Sequence, residues 1–158
     1  MDPARGLLWG TVLCGLLDIT AACLHASLAR GTDPVRLLQG VAGALLGRAA
    51  YDGGYATALL GLGLHFGVAL SMTALFLALC RAWPELLRRP AVVAPLYGLT
   101  VFCLMNFGVL PVLSWTRSLY LHTPVVFPGP MGWPQAVIHV VCVGGPIVFT
   151  VRRWMTPR

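Results

Sequence analysis

Five side chains able to carry a charge, a proton or a metal lie inside apolar runs of this chain: Asp18, His25, His65, Asn106 and His139. A carboxylate and imidazoles at neighbouring depths can relay a proton or hold a small cation, and ionisable groups inside membranes mark such pathways. The same residues are a donor set for a transition metal, with His65, His25, His139 and Asp18 as ligands, and two His on facing helices can hold a haem. No two His stand at i, i+3 or i, i+4, so no single helix supplies a ligand pair. No nucleophile–base set or HExxH-type motif appears, which argues against an enzyme.

The elements that must position these residues are long and apolar. The sequence predicts an all-α polytopic membrane protein: four spans at about 7–29, 55–80, 91–113 and 135–151, and a short helix at about 34–50. Thr32-Asp33-Pro34 starts the short helix with a capping side chain and Pro at the first helical position. Only eleven residues separate Arg36 from Arg48, too few to cross a bilayer upright, so this helix lies at the interface or dips partway in. Its Gly40, Gly43 and Gly47 are expected to let it pack closely on the bundle. Residues 114–134, with Pro124, Pro128, Pro130 and Pro134, read as the longest irregular stretch. Gly144-Gly145-Pro146 predicts a kink or unwound turn in the last span.

Within the first span Gly15, Asp18, Ala22, His25 and Ala29 are spaced 3, 4, 3, 4, one continuous stripe. In the second span Ala58, Gly61, His65 and Ala69 form another. Small faces in a membrane pack against protein, so both stripes are expected to point inward. At about 1.5 Å per residue, Asp18 and His65 both fall roughly 15 Å below the outer ends of their spans. His25 and His139 fall roughly 6 Å below theirs, with Asn106 between. The expectation is one polar column opening outward and centred on Asp18 and His65. A buried ionisable group costs about 2.5–3.5 kcal/mol on insertion scales, so Asp18 calls for a compensating role, either a function or the fixing of helix register.

Composition supports the membrane class. Hydrophobic residues make up 58% of the 158 residues and charged ones 10%, with a mean hydropathy of +0.80; a water-facing surface needs more charge. The net charge of +6 comes from Arg alone, scattered one to three at a time beside apolar runs. That is the distribution of topology-setting charge, not of a nucleic-acid-binding face. With the N-terminus inside, seven Arg (5, 81, 88, 89, 152, 153, 158) fall on the inner side and four (30, 36, 48, 117) on the outer, placing both termini in the cytoplasm. Trp9, Trp83 and Trp154 then mark the inner boundary, Trp115 and Trp133 the outer. The five Cys form no CxxC and read as small buried hydrophobes. Asp18 in the middle of the first run, and the length of that run, argue against a cleaved signal peptide.

The order of Gly15-Leu16-Leu17-Asp18, Leu38-Gln39-Gly40-Val41-Ala42-Gly43, Gly63-Leu64-His65-Phe66, Met105-Asn106-Phe107 with Pro111, and His139 with Gly144-Gly145-Pro146 resembles a group of uncharacterised four-span bacterial proteins, the YagU-like type. The resemblance implies a bacterial inner-membrane protein and no known reaction.

Three functional classes are compatible with these features: a small-ion or proton transporter or channel subunit, a metal- or haem-binding membrane protein, and a non-catalytic accessory or assembly subunit. The expected partners are the lipid bilayer and either a homo-oligomer or a larger membrane complex, with no nucleic acid; the cofactor is unknown.

Overall fold

Asp2 and Asp33 open the first two helices in the same way: each is followed by Pro, and each carboxylate accepts from a backbone N–H of the first turn. In a computed structural model of the chain, which describes residues 2–122 and 132–156, helix α1 runs Pro3–Arg30 and α2 runs Pro34–Leu46. A 3-10 segment, Gly47–Asp52, leads into α3, Gly54–Ala82. After a short turn of 3-10 helix at Pro84–Leu87 come α4, Pro90–Leu121, and α5, Trp133–Met155. Helices α1, α3, α4 and α5 are 28, 29, 32 and 23 residues long and apolar enough to cross a membrane; at about 1.5 Å per residue each exceeds the roughly 30 Å hydrocarbon core. The all-α multi-pass architecture expected from the sequence is therefore present. Helix α2, with 13 residues, is about 20 Å long and does not span.

The four long helices alternate in direction, so one end of the bundle carries both chain ends and the other carries α2. The Asp2 N–H donates to the Trp154 carbonyl at 2.8 Å, tying the start of α1 to the end of α5. The packed core lies toward this end: Cys14, Phe76, Cys80, Ile147, Val148 and Val151 are buried there. Helices α4 and α5 cross in backbone contact at Gly98 and Gly144, where a Cβ on either would meet the partner's backbone.

Several boundaries differ from the sequence reading. Helix α4 continues to Leu121, so 114–121 is helical and not irregular; Thr116 and Ser118 return their hydroxyls to carbonyls three or four residues back. Residues 123–131 of the expected irregular stretch lie outside the described residues. The α-helical part of the short element ends at Leu46, not near 50, because Gly47 takes a positive φ of 61° and a 3-10 segment begins there. The close approach expected from the α2 glycines comes instead from α3: the missing side chain of Gly61 admits the Leu38 carbonyl of α2.

Both α4 and α5 contain a wide π-helical turn, Met105–Val109 and His139–Gly144. Each ends two residues before a proline, Pro111 or Pro146. A proline ring cannot donate and crowds the carbonyl four residues back, and a widened turn relieves both. The expected kink at Gly144-Gly145-Pro146 takes this form.

Candidate functional site

The α2 half of the bundle is hollow. A half-open cavity of about 1120 Å³ lies between the helices there, lined on α1 by Asp18, Ala22 and His25, on α3 by Gly63, His65 and Gly67, and on α5 by Gln135 and His139. Leu37, Val41 and Leu45 of α2 close it toward the end of the bundle. The inward direction expected for the stripes is present except at the end of the first: Gly15, Ala58, Gly61 and Ala69 are buried and Asp18, Ala22, His25 and His65 face the cavity, but Ala29, in the last turn of α1, is exposed.

Gly15 brings Asp18 and His65 together. A Cβ at position 15 would strike the Phe66 ring, so glycine lets α3 approach until the His65 Nε2 donates to the Gly15 carbonyl at 2.9 Å. A carbonyl only accepts, so Nε2 carries the hydrogen. The other ring nitrogen, Nδ1, then faces Asp18 Oδ2 at 4.0 Å, with both side chains 14% exposed. Phe66 sits edge-on to the imidazole at 5.6 Å and fixes the plane of the ring. Without a proton between them, Nδ1 and Oδ2 present two lone pairs to each other. With one, the pair becomes an imidazolium–carboxylate or an imidazole–carboxylic acid. Asp18 Oδ1 is buried without a hydrogen-bond partner, which adds to the cost of leaving the carboxylate charged and unmatched. The arrangement can hold one exchangeable proton.

His139 is buried at the start of the α5 π-turn. Its Nδ1 donates to the Gln135 carbonyl at 2.9 Å, and Phe102 packs against it edge-on at 5.7 Å. That tautomer leaves Nε2 as an acceptor. Asn106 departs from the expected column. It is buried in the α4 π-turn, donates to the Phe102 carbonyl one turn back at 2.8 Å, and is absent from the cavity wall. A π-turn inserts a residue into the helical count and rotates the side chains beyond it around the axis, so a match in depth does not bring a match in direction.

His65, His25, His139 and Asp18 share one cavity but do not converge as ligands. Among the described residues no three His, Cys, Asp or Glu side chains are grouped to hold a metal ion.

Other polar residues, given no site role by the sequence reading, hold α2 in place. Gln39 donates to the Gly54 carbonyl at 3.0 Å, Arg117 Nη1 to the Gly43 carbonyl at 2.8 Å, and the Tyr120 hydroxyl to the Leu45 carbonyl at 2.5 Å. The signal of Arg117 and Tyr120 in the sequence is polarity near a helix end, which reads equally well as a loop, whereas Gln39 is a lone polar residue in the middle of an apolar helix.

Fold and cavity together define a multi-pass α-helical membrane bundle with a partly buried polar pair between its spans. Comparison with protein-family models, curated proteins and solved structures found no match.

Proposed function

We propose that this protein moves protons or small ions through the cavity, with Asp18 and His65 as the carrier pair. One observation carries the reading: the Gly15 carbonyl fixes the hydrogen of His65 on Nε2 and so turns Nδ1 toward the Asp18 carboxylate at 4.0 Å. A shift of about 1 Å brings that pair to hydrogen-bonding distance, and the opposite shift releases the proton to the cavity. The reading includes a bacterial inner membrane as the location, both termini in the cytoplasm by the distribution of Arg, and no catalysis. Reconstitution in proteoliposomes tests it. An imposed pH gradient should collapse faster with the protein than without it, and Asp18→Asn should remove the difference. Unchanged flux in Asp18→Asn overturns the proposal.

A second reading, an assembly subunit of a membrane complex, is favoured by the same His65–Gly15 bond, because that bond also ties α1 to α3. It expects Asp18→Asn and His65 variants to lose abundance, with no flux to lose in the native protein.

A further inference from the structure

Among the described residues, the cavity is open on one flank. Helices α3 and α4 touch near the middle of the bundle, where the Tyr97 hydroxyl donates to the Met72 carbonyl at 2.6 Å and the rings of Phe76 and Tyr97 pack at 4.7 Å. Above that floor the helices part. Gly63, Gly67 and Ser71 form one exposed edge on α3; Val101, Met105 and Val109 form the facing edge on α4, and all six line the cavity. A Cβ built on Gly63 or Gly67 meets nothing within 4 Å. The GxxxG of α3 therefore packs against no other helix of this chain among the described residues. The upper edge is α2, clamped by Arg117 and Tyr120. The result is a window at bilayer depth that leads from lipid to Asp18.

The charges on the wall are sorted. Asp18 is its only acid and Arg30 its only guanidinium among the described residues. Arg30 ends α1, twelve residues or about 18 Å from Asp18, so a cation meets a like charge at the rim but not at the window. The rest of the wall is mostly Leu, Val, Ala, Gly and Met, with no Phe, Tyr or Trp. Flexible aliphatic walls fit an alkyl body better than a flat ring.

Resting on the proton-carrier reading and naming its substrate, we infer that the cavity binds a lipophilic ammonium. Its alkyl body enters from the bilayer through the α3–α4 window, and its N–H donors take the place of the proton at Asp18 and His65 Nδ1. The carboxylate holds either the ammonium or the proton, so the two compete and their movements are coupled.

Radiolabelled decylamine, dialysed against nanodiscs with and without the protein, tests this. Saturable binding above empty discs is expected, and about tenfold weaker binding in Asp18→Asn from loss of a charge-assisted bond. Gly67→Leu narrows the window and should lose decylamine binding. Equal competition by decanol or decanoate overturns the cationic head. Full binding in both Asp18→Asn and Gly67→Leu overturns the site. A dimer that Gly67→Leu dissociates overturns it in favour of a second copy seated in the window. Proton flux without decylamine binding overturns this inference alone. Binding without flux upholds the site and overturns the proton-carrier reading.

Discussion

Tyr97 on α4 donates its hydroxyl to the Met72 carbonyl of α3 at 2.6 Å, and this bond marks the level below which the bundle is packed and above which it is hollow. Both residues are buried. The core around Phe76, Ile147 and Val151 lies on one side of the bond, and the cavity holding Asp18 and His65 on the other. One interhelical hydrogen bond separates the packed core from the cavity.

Tyr97→Phe should therefore destabilise by the value of one such bond, about 0.6–1 kcal/mol in a membrane protein, and no more, because the ring contact with Phe76 remains. Unfolding in mixed micelles measures it. A loss several times larger means that Tyr97 holds more of the bundle than the Met72 carbonyl.

The glycines of α3 and α5 divide by what lies opposite them. Gly61→Ala presses a methyl into the Leu38 carbonyl, and Gly144→Ala presses one into the backbone of α4. Each should cost about 1–3 kcal/mol of overpacking strain. Gly63→Ala and Gly67→Ala face open space and should leave stability unchanged or raise it by up to about 1 kcal/mol of helix propensity. Thermal denaturation of the four variants checks the ordering, and a costly Gly67→Ala would show that something packs on the window in the native membrane.

The spans, the inward stripes and the Asp18–His65 pair are legible in the sequence, because each rests on a periodicity or a depth that a straight helix preserves. The end of α4 and the direction of Asn106 are not. Ser114-Trp115-Thr116-Arg117-Ser118 is polar enough to read as a loop; the docking of Arg117 and Tyr120 on α2 holds it as helix, and Thr116 and Ser118 satisfy their hydroxyls on carbonyls of the preceding turn. Depth alone places Asn106 in the column, and a π-turn changes azimuth without changing depth much. The window is not legible either, since Gly63-xxx-Gly67 reads as a packing motif until the structure shows nothing opposite it among the described residues.

Arg117→Met keeps the aliphatic stem beside Gly47 but removes the donor to the Gly43 carbonyl. A hydrogen bond from a charged group is worth about 1.5–3 kcal/mol, so the end of α2 should open about tenfold or more often. Amide hydrogen exchange should accelerate in residues 43–52 and stay slow around the core at Ile147 and Val151. Uniform acceleration across all four spans would mean that the clamp stabilises the whole bundle.

His65 has two roles that substitution can separate. Its Nε2 ties α3 to the Gly15 carbonyl of α1, and its Nδ1 faces Asp18. Glutamine can still donate to a carbonyl but cannot titrate; leucine can do neither. His65→Gln should therefore unfold within about 0.5 kcal/mol of the native protein and lose proton flux in proteoliposomes. His65→Leu should lose flux and also about 0.6–1.7 kcal/mol of stability, the span of measured interhelical hydrogen bonds. Flux that survives in His65→Gln means the proton reaches Asp18 without the imidazole. A destabilised His65→Gln that keeps native flux means the ring acts on the α1–α3 contact alone, and Asp18 is then the sole carrier in the cavity.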